Sequence, residues 1–253
     1  MLKWIKNLFR ETLEADEGDL TVNTNEFTTT LARHEKKNYI VCNEEEVEIM
    51  WDKVIRFDDG GPGYKTTNYY RRNHRTPKMF VVHWDACLNT KQMIKVTKER
   101  GLSVHFGIDN DGTIYQLLDT KDIAWHAAGI NTQSIGVEIS NPVLLRYNKR
   151  NRERGEEERE VIYGDKIHNK LIKPYLGFYP VQIEALKRLT EALSTTGIKM
   201  QAPLDEEGRL RRGVDKRVAN GTFEGVVGHY HLTTNKRDPG NLPLDKIVRE
   251  VQK

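Results

Sequence analysis

Apolar and polar positions follow two different rhythms along the chain, and each rhythm predicts a different element. Short apolar runs predict β-strands, whereas apolar positions three or four apart predict helices. The strands are predicted at 78–83, 103–108, 113–118, 134–140 and 225–229, and the helices at 88–100, 181–193 and 244–251. Because strands and helices alternate, the sequence predicts an α/β domain in which helices flank a mixed central β-sheet.

Two segments depart from this alternation. Residues 1–45 are polar and weakly periodic, so we expect an N-terminal extension, with a short amphipathic helix near its start, that precedes a domain spanning 46–253. Residues 144–176 form a charged insertion within the domain. Its mixture of positive and negative charges predicts a solvated loop or an exposed helix that could border an active site.

The charge balance and the cysteine count exclude several classes of protein. The chain has 40 basic and 37 acidic residues, and its net charge of +3 is too small to indicate a nucleic-acid partner. No stretch contains the roughly 18 apolar residues that a membrane helix needs. The first residues lack the small-residue cleavage site of a secretory signal. We therefore expect a globular protein without a transmembrane segment or a signal peptide, and its two cysteines give no disulfide framework.

Histidines at the ends of predicted strands indicate a metal site. His83 closes the 78–83 strand, His229 closes the 225–229 strand, and Asp238 follows nine residues later. Two imidazoles and a carboxylate form a three-ligand set of the kind that catalytic zinc uses, leaving the fourth position for water. A single histidine at a strand end is more often packed or solvated, so the prediction depends on the three residues lying together.

An iron site is the alternative that the same region allows. His83, Asp85 and His229 match the two-histidine, one-carboxylate triad of iron oxygenases, with Arg237 available to hold an oxo-acid cosubstrate. Residues 83 and 85 of a strand face the same side, which suits shared coordination. Such oxygenases usually fold as jelly rolls, whereas this sequence predicts a helix straight after the first strand. The iron oxygenase therefore ranks second among the enzymes considered.

An ordered set of motifs resembles the type 2 N-acetylmuramoyl-L-alanine amidases, a family that includes phage lysozyme-like amidases and peptidoglycan recognition proteins. The resemblance covers roughly residues 75–250 and implies the α/β fold of that family. The motifs are Phe80-Val-Val-His-Trp84, Ser103-Val-His-Phe-Gly-Ile-Asp-Asn-Asp-Gly-Thr-Ile-Tyr-Gln116, Trp125-His-Ala-Ala-Gly129, Ser134-Ile-Gly-Val-Glu-Ile139, Gln182-Ile-Glu-Ala-Leu186, Gly228-His229 and Lys236-Arg-Asp-Pro-Gly240.

The resemblance implies a role for each matching polar residue. His83, His229 and Asp238 align with the ligands of a zinc ion. Glu138 aligns with the catalytic acid–base, and Lys236 aligns with a lysine that faces the reacting carbonyl. The chemistry agrees, because amide hydrolysis needs an activated water, a stabilised oxyanion and a proton for the leaving amine.

The remaining candidates concern the substrate groove and the neighbouring histidines. His126 aligns with a position that lines the groove, and Trp125 beside it either stacks on a sugar or packs in the core. The family pattern places the ligand directly after Gly228, which selects His229 over His231. His105 is expected to be structural or groove-lining.

The function implied by the resemblance is hydrolysis of the amide between N-acetylmuramic acid and L-alanine, with peptidoglycan or muropeptides as the partner. A phage lysin is the preferred role, located in the cytoplasm of a bacterial host before release to the cell wall, or associated with the virion. A cytoplasmic recycling amidase is the alternative role within the same family. A non-catalytic peptidoglycan-binding module is the alternative from another class. The three filled ligand positions argue against it.

Overall fold

The computed structural model describes residues 38–64 and 69–252. The strands are β1 (Asn38–Cys42), β2 (Glu45–Ile49), β3 (Val54–Arg56), β4 (Tyr69–Tyr70), β5 (Met79–Trp84), β6 (Phe106–Ile108), β7 (Ile114–Gln116), β8 (Ile123–Ala124), β9 (Ser134–Ile139), β10 (Val161–Ile162), β11 (Lys166–Ile167), β12 (Lys170–Leu171), β13 (Tyr175–Leu176) and β14 (Gly225–Gly228). The helices are α1 (Thr90–Glu99), α2 (Arg146–Glu153), α3 (Pro180–Ser194), α4 (Lys216–Ala219) and α5 (Leu244–Val251), with 3₁₀ turns at Asn131–Gln133 and His229–His231. None of the helices in these ranges is long and apolar enough to cross a membrane.

Six strands form the central sheet in the order β14-β5-β9-β6-β7-β3. The first four strands of that order run parallel, β7 pairs antiparallel with β6, and β3 pairs parallel with β7. Helices α3 and α5 pack on one face of this sheet. Helix α1 covers part of the other face, where a Cβ on Gly107 would lie 2.8 Å from Thr90. The predicted α/β architecture with a mixed, helix-flanked sheet is confirmed.

The alternation of side chains along β5 explains how the sheet separates its core from its site. Phe80 and Val82 point toward α3 and α5 and join the main hydrophobic core. Met79 and Val81 point to the opposite face and join a smaller apolar cluster. Because successive residues of a strand face opposite sides, His83 falls on the face of Met79 and Val81, away from the main core.

Strand β1 lies ahead of residue 46, where the sequence predicts the domain to begin. It pairs with β2, and Ile40 is fully buried in the main core. The tight turn between the two strands uses positive φ angles at Asn43 and Glu44, and the Asp119 carboxylate accepts hydrogen bonds from both of their backbone N–H groups. A distant carboxylate thus stabilises a turn that local sequence does not predict. The predicted amphipathic helix lies outside the described residues.

The charged insertion contains an exposed helix, α2, and the four short strands β10 to β13. It is attached to the domain through the buried guanidinium of Arg159. That group donates hydrogen bonds to the backbone oxygens of Ser140 and Gly177 and to the side chain of Gln182. A buried cation needs several acceptors to offset its lost hydration. The insertion is therefore a folded, anchored part of the domain.

Candidate active site

Two histidines and an aspartate meet where β5 and β14 end. His83 Nδ1 lies 2.9 Å from His229 Nδ1 and 3.0 Å from Asp238 Oδ2, and His229 Nδ1 lies 2.9 Å from Asp238 Oδ2. All three side chains are buried. The structure therefore brings together the three residues that the sequence proposes as metal ligands, and they form one group of metal-ligating type.

The parallel pairing of strands creates this meeting point. Gly228, the last residue of β14, pairs with Val82 of β5, so that His229 follows beside His83. A Cβ on Gly228 would lie 2.7 Å from Pro239, which shows how closely the returning loop packs against the strand end. The backbone N–H of Tyr230 donates to the carbonyl of Asp238 at 3.1 Å, and this bond holds the loop in place.

The electrostatics of this group suit a cation. Burial and the neighbouring His229 lower the pKa of His83 to about 4, so its ring is neutral near pH 7. Burial alone would raise the pKa of Asp238, but the hydrogen bonds with His229 and His83 outweigh it and hold that pKa below its usual range. A neutral imidazole and an ionised carboxylate both present lone pairs. The nitrogen and oxygen donor set fits zinc in its catalytic type of site.

Glu138 lies on the neighbouring strand at the same level as His83. The two residues are register partners in the parallel pair β5 and β9, so their side chains share one face of the sheet. Glu138 Oε2 is buried and has no hydrogen-bond partner within residues 38–64 and 69–252. Burial raises the pKa of Glu138 well above its usual value, and the charges of Asp85 and Asp238 raise it further. A carboxyl group that is ready to hold a proton therefore faces the histidine–aspartate group.

All seven site residues that the sequence predicts line one cavity of about 220 Å³. They are His83, Trp125, His126, Glu138, His229, Lys236 and Asp238. Larger surface cavities, such as one of about 690 Å³ beside α2, contain none of these seven side chains. Trp125 also makes an edge-to-face contact with the exposed Tyr70, with ring centroids 4.8 Å apart. Trp125 of this pair forms part of the cavity wall beside the proposed ligands.

Asp85 does not belong to the metal-ligating group, although the iron-triad alternative requires it. Its carboxylate accepts hydrogen bonds from the backbone N–H groups of Cys87 and Asn141 and from the hydroxyl of Ser140. Through these three hydrogen bonds Asp85 stabilises the loop after β5. The carboxylate that faces both histidines is that of Asp238.

His231 and His105 have structural partners. The Nδ1 of His231 accepts a hydrogen bond from Gly228 N, and its Nε2 lies 2.7 Å from the carbonyl oxygen of Arg211. The Nδ1 of His105 accepts from Gly136 N, and its Nε2 lies 3.0 Å from the carbonyl oxygen of Asp122. In both rings each nitrogen contacts a backbone group, and Arg75 Nη2 also lies 2.8 Å from His105 Nε2.

The insertion contacts the loop that carries Lys236 and Asp238. His168, in the turn between β11 and β12, lies with its Nε2 2.8 Å from the carbonyl oxygen of Lys236. Arg212 joins the same region, because it donates to Asp165 of the insertion at 2.6 Å and to the carbonyl of Gly240 at 2.7 Å. The insertion therefore borders the site and braces its loop.

Sequence reasoning missed Ser134 and Arg100. The hydroxyl of Ser134 lies 3.2 Å from His126 Nε2, and Arg100 lines the cavity from the end of α1. The spacing of Ser134, Gly136 and Glu138 along one strand places all three on the same face, and that pattern was the available signal for Ser134. Nothing in the local sequence distinguishes Arg100 from a solvated arginine.

Comparison with known proteins assigns the family. Residues 73–241 match the family model described as N-acetylmuramoyl-L-alanine amidase. The chain belongs to the N-acetylmuramoyl-L-alanine amidase family. This confirms the resemblance drawn from the sequence motifs, and the activity of the family is that of a peptidoglycan amidase. No curated protein matches the chain in sequence.

Several solved amidases are similar to this family member at low sequence identity. The amidase LysC from Clostridium intestinale URNW is 18% identical with a TM-score of 0.44, over 80% of this chain and 99% of its own. AmpDH3 from Pseudomonas aeruginosa is 21% identical with a TM-score of 0.46, over 75% of this chain and 63% of its own. AmiD from E. coli, solved with an anhydro-N-acetylmuramic acid peptide, is 18% identical with a TM-score of 0.45, over 73% of this chain and 66% of its own.

Proposed function

We propose that this amidase is zinc-dependent and hydrolyses the amide between N-acetylmuramic acid and L-alanine in peptidoglycan. The observation that carries the proposal is the convergence of His83, His229 and Asp238 in one cavity with Glu138 and Lys236. The family supplies the class of substrate. The geometry supplies a ligand set, an acid–base group and a cation within reach of one another.

His83, His229 and Asp238 would hold the zinc ion. Bound zinc supplies a Lewis acid and lowers the pKa of a bound water to about 7. The three side chains come from a strand end, a 3₁₀ turn and a returning loop that are tied together by backbone pairing. Such a rigid arrangement keeps the ligand atoms close together with little need for reorganisation when the metal binds.

Glu138 is proposed as the group that moves the proton. Its buried Oε2 has no competing hydrogen-bond partner in the described chain, so it is available to a water or to the leaving amine. In this role Glu138 accepts the proton of the attacking water and delivers it to the amine nitrogen as the C–N bond breaks. The raised pKa of this carboxyl suits a group that must both take and return a proton near pH 7.

Lys236 is proposed to stabilise the oxyanion. Its side chain is exposed and lines the cavity, two residues before Asp238 on the same loop. An ammonium group at this rim can approach the carbonyl oxygen as negative charge develops there, which is the general basis of oxyanion stabilisation. Trp125 and His126 line the adjoining wall, where the glycan or the peptide would lie.

The proposal extends to the biological role of a phage lysin, active on the wall after release from the host cytoplasm or from the virion. The support for that role is the likeness of the motifs between residues 80 and 240 to those of phage amidases. It predicts that the protein attacks intact, insoluble peptidoglycan and not only soluble muropeptides.

Digestion of purified peptidoglycan tests the proposed bond. The zinc-loaded protein should release peptides with a new L-alanine amino terminus and no new reducing sugar ends, as identified by mass spectrometry. His229→Ala, which lacks one proposed ligand, is the matched inactive control. New reducing ends would identify a glycosidase, and new amino termini only within the stem peptide would identify an endopeptidase. Either result would refute the proposal.

Metal analysis of the same preparation separates the alternatives. One zinc per chain is expected. Iron bound at this site would favour the oxygenase, and a protein that binds wall fragments with neither metal nor turnover would be a binding module.

A further inference from the structure

A chain of hydrogen bonds leads away from His83 on the side opposite the proposed metal. His83 Nε2 lies 3.1 Å from His126 Nδ1, and His126 Nε2 lies 3.2 Å from the hydroxyl oxygen of Ser134. The Ser134 hydroxyl in turn donates to the backbone carbonyl of Ile130 at 2.9 Å. The chain thus begins at a proposed metal ligand and ends at a backbone acceptor.

The last bond fixes the direction of all the others. A carbonyl oxygen can only accept, so the single proton of the Ser134 hydroxyl points to Ile130. The hydroxyl must then accept from His126, which places the His126 proton on Nε2. A neutral His126 consequently presents a lone pair on Nδ1, and this lone pair accepts the Nε2 proton of His83. The Nδ1 of His83 is left without a proton, facing His229 and Asp238.

We propose that His126 and Ser134 are positioning residues that hold His83 with its proton on Nε2, so that its Nδ1 lone pair is presented to the metal. The proposal rests on the zinc site proposed above. Ligand histidines commonly donate their second N–H to a carboxylate or a carbonyl, which fixes the tautomer and the ring orientation. Here the N–H of His83 donates to the imidazole of His126 instead. The tautomer of His126 is fixed by the Ser134 hydroxyl, whose proton is held by the carbonyl of Ile130.

The surroundings of His126 hold its ring in one orientation. A Cβ on Gly136 would lie 2.5 Å from His126 Nδ1, so the ring packs directly over the backbone of β9. The Asn131 side chain accepts hydrogen bonds from the backbone N–H groups of His126 and Ala127, at 3.1 and 2.7 Å. A ring held in this orientation keeps its Nε2 toward the Ser134 hydroxyl and its Nδ1 toward His83, as the chain of hydrogen bonds requires.

One face of β9 therefore carries three separate elements of the site. Ser134, Gly136 and Glu138 alternate along the strand and share its site-facing side. Ser134 fixes the proton of His126 on Nε2, Gly136 leaves room for the His126 ring, and Glu138 faces the cavity. His126, which the sequence assigns to the substrate groove, lines the cavity and also contacts His83.

Matched variants of the full chain test the proposal. His126→Leu fills the space without an acceptor, whereas His126→Asn keeps an acceptor near the Nδ1 position. Ser134→Ala removes only the hydroxyl and is the milder change. Ser140→Ala is the control, because Ser140 is equally buried, directly after the last residue of β9, and its hydroxyl bonds to Asp85.

Two readouts apply, and neither requires catalysis. In metal-free protein labelled with ¹⁵N-histidine, the nitrogen chemical shifts of His83 should report a protonated Nε2 and a bare Nδ1. The zinc affinity measured by chelator competition should fall about 10–100-fold in His126→Leu, the range typical of lost ligand-supporting residues. His126→Asn should recover most of the loss, Ser134→Ala should show a smaller loss, and Ser140→Ala should match the wild type.

The outcomes separate this proposal from the proposed function. A wild-type His83 protonated on Nδ1, or a His126→Leu affinity within twofold of the wild type, would overturn the positioning role. The Nε2 tautomer in a wild-type protein that binds no zinc would support the positioning role and overturn the zinc site.

Discussion

Replacement of Glu138 by glutamine separates catalysis from stability most directly. The substitution keeps the size of the side chain and removes its ability to accept a proton. General acid–base groups contribute about 10²–10⁴-fold to turnover, which corresponds to roughly 3–5 kcal/mol of transition-state stabilisation at about 1.36 kcal/mol per tenfold change. We therefore expect Glu138→Gln to lose that factor in kcat on purified peptidoglycan while it keeps its zinc.

Stability should change little in the same variant. Glu138 Oε2 has no hydrogen-bond partner among the described residues, so the amide keeps the volume of the side chain and breaks no hydrogen bond of that oxygen. Unfolding free energy should shift by about 1 kcal/mol or less, the scale of one hydrogen bond. Thermal denaturation would show this as a change of roughly 2–4 °C for a domain of this size. Glu160→Gln, at an exposed carboxylate, is the matched control.

Two results would refute this reasoning. Turnover of Glu138→Gln within threefold of the wild type would remove Glu138 from the chemistry. A loss of unfolding free energy well above 1 kcal/mol, with normal zinc content, would show that the Glu138 carboxyl also stabilises the fold.

Three further changes test the remaining roles. His229→Ala should lose zinc and activity, whereas His231→Ala should keep zinc but unfold at a lower temperature, because both of its ring nitrogens contact backbone groups. Lys236→Ala should lower kcat more than it raises KM, as measured by steady-state kinetics, since its proposed role is in the transition state. Deletion of residues 1–37 should leave a folded, zinc-binding domain, whereas deletion of 1–45 should destabilise it by removing β1.

Each of these three predictions has an outcome that would contradict it. Zinc lost from His231→Ala but kept by His229→Ala would reverse the ligand assignment, and a pure KM effect would make Lys236 a substrate-binding residue. A 1–45 deletion as stable as the 1–37 deletion would show that the buried Ile40 contributes little to the core.

Local sequence was sufficient to predict a strand or a helix wherever the segment's own pattern determined its structure. The apolar run before His83 and the amphipathic pattern of α5 gave the strand and the helix close to their observed bounds. The turn at Asn43 was not predicted, because its stability comes from Asp119, a residue 76 positions away. The hydrogen bond between His83 and His126 is also distant in sequence, so no pattern along the chain reveals it.

The ligand set could be proposed from sequence for a different physical reason. Parallel strands end at one edge of a sheet, so polar residues at the ends of two neighbouring strands lie close together whatever connects them. His83 and His229 obey that rule. Asp238 does not, since it lies on an irregular loop; its place nine residues after His229 suggested it, and the resemblance to the amidase family supported it.

The brace between the insertion and the metal-ligand loop has a consequence for cooperativity. Arg212 joins Asp165 to Gly240, and His168 contacts the carbonyl of Lys236, so we expect the β11–β12 hairpin and this loop to open to solvent as one unit. A ligand that binds only the closed form stabilises that unit by RT ln(1 + [L]/Kd). Zinc would therefore slow amide hydrogen exchange in a hairpin that supplies no ligand atom, and the insertion would report on the occupancy of the site from outside it.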